Sequence, residues 1–164
     1  MYILNRTLGD VVIIGITGGI ACGKSTLVKG LRDNLELTLI DCDEISRSIS
    51  LPGNKGYEFI LKLLGERKRD FLEGPTGLIK RDKLSELAFN DNQFRKKLTS
   101  GLGKYIFWEL IKQLLKAAFT AEKYILVDAP LLFETKVLTY LSDPIIVVYI
   151  DEQEQINRLR ERNG

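Results

Sequence analysis

One stretch of the chain has the residue types and spacing of a phosphate-binding site. This phosphate loop fits the pattern G-x-x-x-x-G-K-[ST] and consists of Gly18, Gly19, Ile20, Ala21, Cys22, Gly23, Lys24, Ser25 and Thr26. Glycines let the backbone curl until several N–H groups point at one anion. The helix that follows presents its positive end to the same anion. In this pattern Lys24 contacts the β- and γ-phosphates of a nucleoside triphosphate, and the Ser25 hydroxyl binds Mg²⁺.

Two acidic residues, Asp41 and Asp43, follow an apolar run and form a second candidate for chemistry. An enzyme that phosphorylates an alcohol needs a carboxylate within hydrogen-bond reach of the attacking hydroxyl. Their i, i+2 spacing places both carboxylates on one side if the chain is still extended there. The alternative is a pair of helix-capping, solvent-facing acids. Arg47, four residues past Asp43, either binds a phosphate bidentately or is an exposed surface residue.

Apolar runs and helical patterns indicate which elements position these residues. Short apolar runs, typical of strands covered on both faces, occur at Val11–Ile16, Leu37–Asp41, Tyr124–Asp128 and Ile145–Ile150. Helices are predicted from Lys24 to about Asn34 and from Glu152 to Arg162, with Asp151 as the N-cap. This order predicts an α/β fold with a parallel sheet. Ligands of such folds bind beyond the carboxyl ends of the strands, where the phosphate loop and the acidic residues lie.

The middle of the chain, from Glu44 to Phe119, has a different character. It shows no clear strand pattern and predicts several helices, with breaks at Pro52–Asn54 and Glu73–Gly77. Apolar residues at helical spacing predict one amphipathic helix over Tyr105–Phe119, in which Phe107 and Trp108 are interpreted as packing residues.

Composition excludes several classes of protein. The 164 residues include 45% hydrophobic and 28% charged residues, typical of a soluble globular domain. A net charge of +2 gives no argument for nucleic acid or a membrane as partner. The chain has no histidine and two cysteines without a C-x-x-C pair, which argues against a zinc site and disulfides and favours the cytoplasm. No secretory signal or transmembrane run is recognisable.

A phosphate loop alone does not identify the acceptor of the phosphoryl group. The guanine-binding N-K-x-D and the D-x-x-G switch of GTPases are absent from the sequence. The compact size and the helical middle region favour a small-molecule kinase. Longer strings then resemble the dephospho-coenzyme A kinase family, in order over most of the chain: Gly15–Thr26, Ile40–Arg47, Pro52–Gly53, Lys80–Leu84 with Phe89, Val127–Glu134, and Gln155, Arg158, Leu159 and Arg162.

The resemblance implies transfer of a phosphoryl group from ATP to the 3′-hydroxyl of dephospho-coenzyme A, the last step of coenzyme A synthesis. It implies a P-loop NTPase fold, a three-layer arrangement with a parallel sheet flanked by helices. The core is expected at residues 11–47 and 122–157, a helical CoA-binding insert at about 48–120, and the start of a lid at about 158–164. A cytoplasmic monomer that uses ATP and Mg²⁺, and no nucleic acid or membrane, is expected.

The resemblance also assigns roles to individual residues. Asp43 matches the proposed general base, with Arg47 in the motif next to it. The other matches are a substrate-binding arginine at Arg81, a substrate pocket at Pro130, Leu131 and Leu132, and lid-edge arginines at Arg158 and Arg162 that neutralise transition-state charge. Asp128 either holds Mg²⁺ through water or is a strand-end hydrogen-bond acceptor. Glu134 has a direct role or lies at a helix start.

Two departures from the family's pattern qualify these expectations. Gly103 and Lys104 stand where the family usually has His-Pro, and Gly101 and Gly103 are expected to loosen the chain there. The family continues beyond the position of Gly164, so a protein ending there would lack most of the lid and turn over weakly or not at all. The alternatives are another small-molecule kinase, of the nucleoside monophosphate type, and an inactive nucleotide- or CoA-binding module.

Overall fold

A computed structural model describes residues 11–35, 37–120, 123–130, 132 and 136–163. In this part of the chain the strands are β1 Val12–Gly18, β2 Thr38–Asp41, β3 Tyr124–Asp128 and β4 Ile145–Val148. The α-helices are α1 Lys24–Leu35, α2 Cys42–Ser48, α3 Lys55–Leu64, α4 Arg81–Asn90, α5 Asn92–Phe119, α6 Lys136–Leu141 and α7 Glu152–Asn163, with a 3₁₀ segment at Gly65–Phe71. None of these helices has the length and apolarity needed to cross a membrane.

The strands form one parallel sheet in the order β2-β3-β1-β4. Ile16 of β1 and Asp41 of β2 both pair with Asp128 of β3, so these strands end at the same edge of the sheet. The predicted α/β fold with a parallel sheet is therefore confirmed. β1 runs on to Gly18, beyond the predicted end at Ile16, and β4 ends at Val148, short of the predicted Ile150.

The sheet is held by the apolar side chains that the strand patterns predicted. Ile16, Leu126 and Val127 are fully buried, and Val28 of α1 packs against the first two. Burying a side chain of this size stabilises the fold by about 1.5–3 kcal/mol. Because β1 is fixed on both sides by parallel neighbours, the point at which the chain leaves the sheet for the phosphate loop is fixed as well.

The chain divides into two compact units. One contains the residues up to Cys42 and those from Lys112 onward, and the other is Asp43–Ile111. The second unit is helical, apart from one isolated bridge between Leu72 and Ile79. Its core consists of Ile60, Leu64, Ile79 and Phe94. The predicted breaks at Pro52–Asn54 and Glu73–Gly77 lie between helical elements, as expected.

The long helix α5 begins at Asn92, not at Tyr105 as the apolar spacing suggested. Its N-terminus is capped by Asp91, whose Oδ1 accepts the backbone N–H groups of Gln93 and Phe94 at 2.9 Å each. Phe94, Leu98 and Leu102 recur at i, i+4 and i+8 and pack into the core of the second unit. The capping aspartate and this earlier apolar stripe are the sequence signals for the true start.

Gly101 and Gly103 do not loosen the chain, because both lie inside α5. A Cβ on Gly101 would overlap the ring of Phe59, so the glycine makes room for that ring. The Phe59 ring also lies 6.2 Å from the ring of Tyr105, one turn further along α5. The packing role predicted for Trp108 is wrong, since its side chain is 67% exposed.

The contrast between the two glycines gives a test of this packing. Gly101→Ala should lower the free energy of unfolding, because overpacking costs about 1–3 kcal/mol and exceeds the helix-propensity gain of about 1 kcal/mol. Gly103→Ala is the matched control and should raise it by about 0.5–1 kcal/mol, since nothing lies within 4 Å of its added Cβ. Urea unfolding measures both variants. Equal stabilisation by both would show that the Phe59 ring does not occupy this space.

Candidate functional site

The phosphate loop connects β1 directly to α1. Between Gly18 and Lys24 the backbone takes left-handed φ values at Ala21 (58°) and Gly23 (91°). The Gly23 carbonyl accepts the N–H groups of Thr26 and Leu27 at 3.1 Å each and so begins the hydrogen bonding of α1. A curled loop that ends in a helix N-terminus presents backbone N–H groups to an anion. The loop of this protein turns at two residues in the left-handed conformation and leads directly into α1.

The loop is closely packed at its first residue. A Cβ on Gly18 would lie 2.7 Å from the Cys22 sulfur and 2.7 Å from the Val148 carbonyl oxygen, so no side chain fits there. Cys22 itself is 5% exposed. Its thiol therefore packs against Gly18 like a small apolar side chain.

An ion pair joins the loop lysine to the end of β3. The Lys24 ammonium donates to Asp128 Oδ1 at 2.5 Å, and both side chains are largely buried. Asp128 therefore acts as a strand-end hydrogen-bond acceptor, one of the two roles considered for it. A bound triphosphate would compete with Asp128 for Lys24, because both are anions that the same ammonium can neutralise.

Helix α7 brings two side chains beside the loop. Its N-cap is Asp151, as predicted, whose Oδ1 accepts the Gln153 N–H at 2.9 Å. Arg158 Nη1 lies 3.6 Å from the Cβ position of Gly23, and Arg158 Nε donates to Glu154 at 2.9 Å. Gln155 Nε2 donates to the Ile20 carbonyl at 2.6 Å.

Of these α7 residues, Arg158 had a predicted role and Gln155 had none. The available signals for Gln155 were its place among the residues that match the family and its i, i+3 spacing to Arg158, which puts both on one helix face. Arg162 lies in the last turn of α7, and its side chain is outside what the structure describes.

The segment after β3 is fixed to β1 by hydrogen bonds. Thr17 Oγ1 donates to the Pro130 carbonyl at 3.1 Å, and the Ala129 N–H donates to the Ile16 carbonyl at 3.0 Å. Pro130 is exposed, whereas Leu132 is fully buried and packs in the core. Leu131 and Glu134 lie outside the described residues. The contact of Thr17 was not predicted from the sequence, because nothing in the phosphate-loop motif that follows it indicates a hydrogen bond to Pro130.

The chain is not extended between Asp41 and Asp43, so the condition for a common side of the two carboxylates is not met. Asp41 is the last residue of β2, and α2 begins at the next residue, so the two carboxylates do not share one side of a strand. Asp43 lies in the first turn of α2 and is exposed. Arg47 follows one helical turn later, as predicted, and is also exposed.

In the helical unit, the side chain of one predicted site arginine, Arg81, contacts the backbone of another, Arg47. Arg81 Nη2 donates to the Arg47 carbonyl at 3.2 Å and to Ser50 Oγ at 2.9 Å. Both guanidinium groups belong to exposed residues, so they are available to an anionic ligand. Ser50, which orients Arg81, was not recognised from the sequence.

The described residues contain no cluster of three or more His, Cys, Asp or Glu side chains that could hold a metal ion. Mg²⁺ in nucleotide sites usually takes one or two protein ligands and completes its shell with phosphates and water. A hydroxyl in the first turn of α1, Ser25, and a carboxylate at the end of β3, Asp128, suit such a shared ion. The side chains present thus fit Mg²⁺ that arrives with a nucleotide.

Comparison with known sequences relates the chain to named proteins. The family profile described as dephospho-CoA kinase matches residues 12–164. The dephospho-CoA kinase of Carboxydothermus hydrogenoformans is 38% identical over 152 residues, which cover 93% of this chain and 71% of that protein. That of Arabidopsis thaliana is 36% identical over 156 residues, covering 93% of this chain and 63% of the relative. A protein of Caenorhabditis elegans is 34% identical, covering 94% of this chain and 64% of its own length.

The chain thus spans less than two thirds of the length of the Arabidopsis and Caenorhabditis relatives. Two solved structures share the fold. The structure of TT1252 from Thermus thermophilus superposes with a TM-score of 0.74 at 26% identity, covering 94% of this chain and 74% of the other. The dephospho-CoA kinase of Campylobacter jejuni has a TM-score of 0.67 at 24% identity, covering 93% and 73%, and shares the fold. The chain belongs to the dephospho-CoA kinase family.

Proposed function

We propose that this protein transfers the γ-phosphoryl group of ATP to the 3′-hydroxyl of dephospho-CoA. The observation that carries the proposal is the phosphate loop, with Lys24 paired to Asp128 and Arg158 beside Gly23. Membership of the dephospho-CoA kinase family supports the choice of acceptor.

The donor half of the proposed site uses positive charge and backbone dipoles. The loop N–H groups and Lys24 would hold the β- and γ-phosphates, and Ser25 would bind Mg²⁺ with Asp128 acting through water. Phosphoryl transfer demands little covalent chemistry from the protein, so charge stabilisation and positioning supply most of the rate. Arg158, whose Nη1 lies 3.6 Å from the Cβ position of Gly23, would neutralise charge that develops on the transferred group. Arg162 is proposed for the same role.

The acceptor half of the proposed site belongs to residues outside the loop. Asp43 would accept the proton of the attacking hydroxyl as general base. Arg47 and Arg81 would bind an anionic part of dephospho-CoA. The hydrogen bonds of Arg81 to the Arg47 carbonyl and to Ser50 hold the Arg81 guanidinium in place. The proposed substrate pocket consists of Pro130, Leu131 and Leu132. Because Leu132 is fully buried, it would support the pocket by packing beneath it.

The identity of the acceptor is tested by measuring ADP release in the presence of different candidate acceptors. ADP should form with ATP, Mg²⁺ and dephospho-CoA, and not with AMP, CMP or pantetheine in its place. Asp43→Asn should bind ATP normally and lose turnover by about 10²–10⁴-fold, the usual contribution of a general base. The Asp33→Asn variant, at an exposed acid of α1, serves as the control.

The three functions considered for this protein predict different results in this assay. Release with a nucleoside monophosphate would assign the protein to that class of kinase. ATP binding without any acceptor-dependent release would identify a nucleotide-binding module. Unchanged turnover in Asp43→Asn would remove Asp43 as the base.

The ion pair of Lys24 with Asp128 predicts an unusual dependence on Mg²⁺. Without Mg²⁺, Asp128→Asn should bind ATP about fivefold more tightly than wild type, because the competing carboxylate and its repulsion of phosphate are gone. With Mg²⁺, this advantage should disappear because the variant lacks a group that holds the ion. Equilibrium titration with and without EDTA measures both affinities. An equal loss of affinity under both conditions would contradict the competition.

A further inference from the structure

Gln155 makes the contact through which α7 holds the phosphate loop. Its side-chain amide donates to the Ile20 carbonyl at 2.6 Å, and a Cβ on Gly19 would lie 3.0 Å from the same nitrogen. The glutamine amide thus lies against the backbone of two consecutive loop residues. Neither the sequence pattern of the loop nor the proposed chemistry assigns this residue a role.

The Ile20 carbonyl is covalently coupled to the N–H group of Ala21. Both belong to one planar trans peptide group, in which C=O and N–H point in opposite directions. Holding the carbonyl toward α7 therefore directs the Ala21 N–H away from Gln155. Loops of this type bind phosphate with backbone N–H groups, so the orientation of this peptide decides whether it attracts or repels an anion.

Ala21 does not favour this orientation by itself. Its φ of 58° is left-handed, a region that is unfavourable for a residue with a Cβ. A flip of the Ile20–Ala21 peptide would rotate this φ by roughly half a turn into the extended region, which alanine prefers. The flipped peptide would point the carbonyl oxygen where the N–H had pointed. The loop therefore needs an outside partner to keep the strained form.

We propose that Gln155 is a positioning residue that holds the Ile20–Ala21 peptide in its anion-binding orientation. The inference rests on the proposed function, since it assumes that the loop binds the triphosphate of ATP. Gln155 and Arg158 lie three residues apart on one face of α7, so the same helix fixes the loop backbone and brings a guanidinium to it. Displacing α7 would then weaken phosphate binding through both residues.

The first part of the test removes the donor. Gln155→Met keeps an unbranched side chain of similar length in a helix but cannot donate to the Ile20 carbonyl. ATP affinity, measured by titration calorimetry, should fall about three- to tenfold, the value of one hydrogen bond. Gln153→Met makes the same change at an exposed position of α7 and should stay within about twofold of wild type. Gln155→Ala is a second variant, and thermal melting verifies that each variant is folded.

The second part of the test distinguishes an effect on the orientation of the Ile20–Ala21 peptide from a general loss of contact between α7 and the loop. Glycine adopts a left-handed φ without strain, so the loop of Ala21→Gly should need Gln155 less. In the Ala21→Gly background, Gln155→Met should weaken ATP binding by less than about twofold. The same factor in both backgrounds, or no loss in Gln155→Met with Ala21 present, would overturn the proposal.

Failure of the inference is distinguishable from failure of the proposed function. Wild-type protein that does not bind ATP would contradict both. Binding of ATP with no effect at Gln155 would contradict the positioning role alone. The expected pattern at Gln155, combined with no ADP release in the presence of dephospho-CoA, would contradict the substrate assignment and support the positioning role.

Discussion

The structure depends on one constraint, which is that a short backbone loop must turn its N–H groups toward a place where an anion will lie. Such groups need a hydrogen-bond partner, and the left-handed conformation at Ala21 is unfavourable. The surrounding elements compensate for both. β1 fixes the start of the loop, α1 fixes its end, and the Val148 carbonyl and Gln155 limit its path from the outside. The packing of the apolar sheet thus fixes the position of the polar loop.

The positive charge of Lys24 is also stabilised by a neighbouring element of the sheet. A largely buried ammonium group is costly unless it is paired, and Asp128 provides the partner for Lys24 at the end of β3. Because that aspartate pairs with Ile16 and Asp41 in the parallel sheet, its position is set by strand register. A phosphate ligand that takes over Lys24 would release Asp128 for another role, such as holding the water shell of Mg²⁺. The register of the sheet thus sets the position of the carboxylate that pairs with Lys24.

Local patterns predicted what depends on neighbours in sequence, namely the phosphate loop, the strands and the Asp151 cap. They failed where distant contacts decide. A glycine within a helix is ambiguous until its neighbour is known, and only the Phe59 ring shows that Gly101 is a packing position. The contact of Gln155 with Ile20 joins residues 135 positions apart. Likewise, because α2 starts at Cys42, the carboxylates of Asp41 and Asp43 do not lie on one side of an extended strand.

The most direct test of this account compares how tightly the protein binds ATP, AMP and adenosine. If the phosphate loop supplies most of the affinity, ATP should bind at least about a hundredfold more tightly than adenosine, because several charge-assisted hydrogen bonds act on the β- and γ-phosphates. AMP, which lacks those two phosphates, should bind nearly as weakly as adenosine. Adenosine that binds as tightly as ATP would contradict the central claim that this fold is built around a phosphate-binding loop.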